Sequence, residues 1–202
     1  MYIPAYFEVS DRAELVSFMR AHNFAAIVSM HEGKLTATHV PLAIHDDADG
    51  IRFVGHFAKA NSHWQSIVSG VEALVVFTGP HAYISPSLYE SKLSVPTWNY
   101  TAVHAYAAGR EIDATPALME LVEATDAGYR RQWDELTPEF RDKMLAAVVA
   151  FELRVTALEG KYKLSQNRPL ADRLRVAEAH AGTELGEMMQ KMARAAAERK
   201  SK

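Results

Sequence analysis

The feature that most restricts the fold lies in residues 24–57. Three apolar, partly β-branched segments, 24–30, 35–44 and 51–57, follow one another with little chain between them. The first connection is His31-Glu32-Gly33-Lys34, and the second, 46–50, is polar and ends in glycine. Strands joined so closely must run antiparallel, because a parallel neighbour needs a crossover of about a dozen residues or more. The segment therefore predicts an antiparallel meander and excludes a βαβ unit. Pro41 interrupts the second strand. Having no N–H to give a ladder, it predicts a sheet edge or a bulge there.

The rest of the chain supplies further strands and a set of helices. Residues 11–22 read as a helix with Leu15, Phe18 and Met19 on one face, and Asp11 and Glu14 have capping-box spacing. Residues 61–70 read as a helix that starts at Asn61 and stops at Gly70. Residues 73–77 and 97–107 read as strands, and 79–87 mixes turn residues with aromatics. Pro116 and Pro138 open helices over 116–129 and 138–147, in first turns where a missing N–H costs little. Residues 148–158 read as the last long strand, 172–179 as a helix, and the tail 183–202 as helix-prone. The class predicted is α+β, a small antiparallel barrel with peripheral helices. The expected organisation is one domain over 1–180 followed by a helical or disordered extension over 181–202.

Composition removes several functions. The 202 residues are enough for one real core. The net charge is −3 and the isoelectric point about 6.3, so no global basic excess favours wrapping nucleic acid. There is no cysteine, which excludes disulfides, iron–sulfur clusters and thiolate zinc sites. No apolar run approaches the roughly 20 residues needed to span a bilayer, and residues 1–10 do not read as a secretory leader. The expectation is a cytoplasmic protein. Neither a G-x-G-x-x-G turn nor a Walker loop is present, and the nine histidines show no tight ligand spacing, so no metal site is expected. No catalytic residue is assigned.

Four segments carry possible chemistry. In Gly55-His56-Phe57-Ala58-Lys59-Ala60-Asn61-Ser62-His63-Trp64 a strand ends, a loop presents Lys59, and a helix begins with Asn61 as its expected N-cap. Free N–H groups at a helix start beside a lysine suit a phosphate. An ordinary capped helix with an exposed lysine accounts for the same residues. In Thr36-Ala37-Thr38-His39-Val40-Pro41, Thr38 and His39 offer polar groups on opposite strand faces. Trp98 and Tyr100 share a strand face that could stack on a planar group or pack in a core. From Arg154 to Arg175 six Arg and Lys residues stand against Glu159 and Asp172. This basic stretch contains Gln166-Asn167-Arg168 and could meet a phosphate, DNA or an acidic partner.

These segments together resemble the FMN-binding negative transcriptional regulator (PaiB-like) family. The strings carrying the likeness are Met1-Tyr2-Ile3-Pro4, Ala37-Thr38-His39-Val40-Pro41-Leu42, Gly55-His56-Phe57-Ala58-Lys59-Ala60-Asn61, Gly79-Pro80-His81-Ala82-Tyr83-Ile84-Ser85-Pro86, Val95-Pro96-Thr97-Trp98-Asn99-Tyr100 and Gly160-Lys161-Tyr162-Lys163-Leu164-Ser165-Gln166-Asn167-Arg168. The resemblance implies a split β-barrel akin to pyridoxamine-phosphate oxidases and flavin reductases, with FMN held at a homodimer interface. It implies Thr38 and His39 beside the flavin, and His56, Lys59, Ala60 and Asn61 on the phosphate side. Trp64, Trp98 and Gln166 are implied as ring or interface contacts. It also implies negative regulation of transcription. A flavin-dependent oxidoreductase and a haem-handling protein are the alternative functions.

Overall fold

The computed structural model describes residues 1–126 and 128–200. In chain order the elements are β1 (Glu8–Val9), α1 (Arg12–Ala21), β2 (Phe24–His31), β3 (Lys34–Pro41), β4 (Ala43–Asp47), β5 (Gly50–Ala58) and α2 (Trp64–Val68). They continue with β6 (Glu72–Ile84), β7 (Thr97–Ile112), α3 (Ala114–Thr125), α4 (Tyr129–Glu135), α5 (Pro138–Ala146), β8 (Val148–Lys163), α6 (Leu170–Ala179) and α7 (Glu184–Lys200). The hydrogen-bonded order is β3-β2-β6-β7-β8-β5-β4, with β1 added on β8.

The expected strand over 35–44 is two strands. β3 ends at Pro41 and β4 begins at Ala43. Proline cannot carry a ladder onward, and the Leu42 N–H is instead donated to the Asn23 carbonyl at 3.0 Å. The expected meander is correspondingly two hairpins, β2–β3 and β4–β5, each antiparallel. Consecutive strands thus stand at opposite ends of the ladder order with one residue between them. A flat sheet would hold its two end strands far apart, so the sheet must curl round on itself. β3 and β4 meet at Leu42 without pairing, which makes this a split barrel.

Contacts divide the chain into two compact units. The first comprises 12–77 and 103–158. Its core holds Phe53, Phe57, Phe77, Phe151, Ile27 and Leu153, all almost fully buried. Phe53 meets Phe77 edge-on at 5.3 Å, and Phe57 lies 5.1 Å from Phe151. Each such ring contributes roughly 1.5–3 kcal/mol by leaving water. α1 covers this core through Leu15, Val16, Phe18 and Met19. The second unit comprises 1–11, 78–102 and 159–202. There α6 packs on α7 through Val176, Ala177, Leu185, Met189 and Ala193, all buried.

Other boundaries differ from expectation. β6 runs on through Gly79 and Pro80, which had read as turn residues. Ala26 faces Val76, so β2 ends opposite Thr78 and no partner on that side needs a proline N–H at position 80. β7 and β8 each extend about five residues beyond their expected ends. The expected helix 116–129 is α3, closed at Asp126, followed by the separate α4. Asp113 caps α3 by accepting from the Thr115 N–H at 2.8 Å, and Thr137 caps α5 from Phe140 at 3.3 Å. Among the described residues no helix is long and apolar enough to cross a membrane.

Candidate functional site

β5 delivers the chain to the Lys59 loop, and α2 carries it away. The loop is pinned twice. The Lys59 N–H donates to the Ala147 carbonyl at 2.8 Å, and the Lys59 carbonyl accepts the Trp64 indole N–H at 3.2 Å. Trp64 therefore folds back over the loop, half-buried. The Lys59 and Ala60 side chains are exposed, and Lys59 has no ion pair among the described residues. A cation is thus presented on a backbone that cannot easily move.

Asn61 does not cap a helix as expected. α2 has only five residues and begins after His63, whose side chain makes no cap hydrogen bond. The Asn61 carboxamide oxygen instead accepts from the His63 N–H at 3.2 Å, an Asx turn. The amides of Asn61, Trp64 and Gln65 are also committed, to Ala58, Asn61 and Ser62 carbonyls. The anion-binding capacity of this segment accordingly rests on the Lys59 ammonium and not on free helix N–H groups.

Beneath the loop lies a polar cluster that the sequence reading passed over. His63 is 1% exposed. Its Nε2 lies 2.8 Å from the Ser29 hydroxyl and its Nδ1 2.9 Å from the Thr38 hydroxyl. The Asn61 amide nitrogen donates to the same Thr38 oxygen at 3.2 Å. His31 then bridges to the hydroxyls of Ser62 and Ser66, each at 2.8 Å. Strands β2 and β3 thereby anchor the loop and α2 through side chains alone. The signal available in sequence was Ser29 and His31, polar residues on the same face of β2 as Ala25 and Ile27.

Thr38 and His39 occupy opposite faces of β3 as predicted. The Thr38 hydroxyl is committed inward, whereas exposed His39 stacks on Phe24, ring centroids 6.0 Å apart. His56 is half-buried on β5, and its Nδ1 is buried with no hydrogen-bond partner. Trp98 and Gln166 belong to the other compact unit. Trp98 is 53% exposed and meets His81 and Tyr83 at 6.0 and 6.2 Å. Gln166 is spent locally: its amide nitrogen donates to the Tyr162 carbonyl and its oxygen accepts the Leu164 N–H.

Burial, followed by the nearby His31, holds the His63 pKa below its ordinary 6.5, and burial does the same to His56. The unfolded chain takes up these protons near pH 6.5, but the folded chain only at lower pH. The unfolded state therefore binds more protons in that window, and stability falls as pH drops through it. Urea midpoints measured from about pH 7.5 to about pH 5 are expected to decline, and less steeply in His63→Gln. A slope unchanged by that substitution would remove His63 as a cause.

Among the described residues no cluster of three metal-ligating side chains occurs. Lys59 has no ion pair among the described residues and the His56 Nδ1 has no hydrogen-bond partner, whereas the Trp64 indole N–H is already committed to the Lys59 carbonyl.

Residues 1–157 match the family described as "Putative FMN-binding domain". The chain is 37% identical over 183 residues to "Protease synthase and sporulation protein PAI 2" of Bacillus subtilis, covering 88% of each chain. Its fold is similar to that of an FAD and heme binding protein from Mycobacterium smegmatis, with a TM-score of 0.62 at 17% identity over 77% of this chain and 73% of that one. It is also similar to the flavocytochrome Anf3 from Azotobacter vinelandii, with a TM-score of 0.63 at 15% identity over 80% and 72%.

Proposed function

The chain belongs to the PaiB-like family of FMN-binding proteins, and from that premise we propose that it is a flavin-dependent regulatory protein. FMN is its cofactor. The bound flavin supplies redox chemistry, and the protein supplies position and electrostatics. The observation that carries the proposal is the Lys59 ammonium, exposed and unpaired on a loop clamped by Ala147, Trp64 and the Asn61–Thr38–His63 cluster. In this proposal Lys59 neutralises the FMN phosphate, Asn61 and Thr38 fix the loop, and His56, His39 and Trp64 border the ring.

The assembly proposed is a homodimer with flavin at the interface. Phe24, Met30 and Leu35 support it, being large, apolar and exposed on one face of the β2–β3 hairpin, with Met30 directly opposite Leu35. The relative's name, a protein of protease synthesis and sporulation, supports a role in controlling expression. With a net charge of −3, that control is proposed to pass through a protein contact and not through DNA wrapping. The proposed compartment is the cytoplasm.

The absorption spectrum of the purified protein tests the cofactor and separates flavin from haem. Lys59→Ala is expected to weaken FMN about 10- to 100-fold, the scale of one charge-assisted hydrogen bond, while the melting temperature stays put. FMN affinity unchanged by Lys59→Ala sinks the phosphate assignment. A monomer by light scattering sinks the interface.

A further inference from the structure

The geometry points to a second ligand site, in the unit formed by 1–11, 78–102 and 159–202, that takes an organic phosphate of the mononucleotide class. A cleft of about 430 Å³ opens there, within the range of small-molecule sites. Three cations line it, Lys161, Lys163 and Arg168, and no carboxylate does.

The backbone explains why the cations converge. Lys161 and Lys163 are two apart on β8 and share a face. Beyond them Ser165 takes a left-handed backbone with φ 65°, and the Arg168 N–H donates to the Ser165 carbonyl at 3.0 Å. That turn folds Arg168 back to the cleft. A non-glycine residue adopts that conformation at a steric cost, so the surroundings must enforce it.

Among the described residues these cations meet neutral hydrogen-bond and ring partners. Lys161 is 8% exposed, donates to the Tyr2 carbonyl at 2.9 Å and lies 5.3 Å from the Tyr100 ring. Lys163 donates to the Thr97 hydroxyl. Its pKa is lowered by burial and then by the neighbouring Lys161 ammonium. Arg168 lies 4.1 Å from the Tyr89 ring centroid. Its field reaches Asp172, but that carboxylate is already held by Arg175 and the Glu90 N–H.

Two buried polar atoms in the lining provide a separate indication. Asn99 is 0% exposed. Its amide nitrogen donates to the Ser165 hydroxyl at 2.8 Å, but its carboxamide oxygen has no partner. The hydroxyl of buried Tyr89 also has none. Buried polar groups are rarely left so, because a group taken out of water without a partner loses its hydrogen bond outright. A ligand with a donor for Asn99, a dianion for the paired lysines and an apolar body against Pro4, Phe7 and Val95 complements these parts of the lining. A phosphate monoester on a ring-bearing nucleoside has all three parts.

Calorimetric titration of the full chain with AMP, adenosine and inorganic phosphate tests the site. AMP is expected to bind about tenfold or more tighter than either fragment. Lys163→Met and Arg168→Gln should each weaken AMP about tenfold, and Lys163→Arg should restore it. The two readings are tested separately. Lys59→Ala should leave AMP binding intact, and Lys163→Met should leave FMN binding intact. Failure of AMP to bind, equal binding of AMP and adenosine, or parallel loss of FMN and AMP in Lys163→Met would each overturn the proposal.

Discussion

Phe57→Ala is expected to lower the unfolding free energy by about 3–5 kcal/mol, the usual cost of deleting a buried aromatic ring. Phe57 is 1% exposed, packs on Phe151 at 5.1 Å and presents its ring to His63 at 5.7 Å. Its strand has little freedom to collapse into the space, because β8 holds β5 through Ala58, with Phe57 opposite Val149. Against a typical total of about 5–15 kcal/mol, the loss leaves a marginal protein. FMN affinity should fall with it, since Phe57 is one wall of the pocket that fixes His63. Denaturant unfolding should show a lower midpoint at an unchanged slope, and Phe57→Leu should recover most of it. A loss under about 1 kcal/mol would mean that the core repacks around the cavity.

Gly109→Ala is expected to cost about 2–3 kcal/mol. Elsewhere in a strand the same change is neutral or favourable, because alanine loses less backbone entropy on folding. Here a Cβ would sit 2.4 Å from the Ile67 carbonyl oxygen and 2.8 Å from the Leu153 side chain. The leucine can turn aside, but the carbonyl belongs to the backbone of α2. Steric overlap therefore outweighs the entropic gain, and α2 must shift, carrying Trp64 and pulling on His63 at its N-cap. The melting temperature and FMN affinity should fall together, and a rise in stability would show that α2 has room to move.

The architecture was legible where local chemistry decides it. The short turns in 24–57 pointed to antiparallel strands, and Pro41 pointed to an edge or a bulge where the structure ends one strand and begins another. The ends of β6, β7 and β8 were not legible, because pairing partners far away in sequence extend a strand past its own propensity. Gly79 and Pro80 are turn residues in isolation and strand residues once their partners are in place. In the site, the exposed Lys59 could be found from its setting between a strand and a helix. The role of Asn61 could not, since an N-cap and an Asx turn have the same sequence signature. His63 was missed because a buried histidine is identified only by Ser29 and Thr38, which arrive from other strands.

The ladder partners of β8 have a consequence for synthesis. The hairpins β2–β3 and β4–β5 close locally within microseconds, but β5 finds its second neighbour only in β8, where Val54 meets Glu152. At ribosomal speed that strand follows on the order of ten seconds later. Meanwhile Phe53, Val54 and Phe57 lie on an open edge, and β1 waits longer still for Lys161. Stalling translation between β5 and β8 is therefore expected to drive the nascent chain into aggregates, read as pelletable protein.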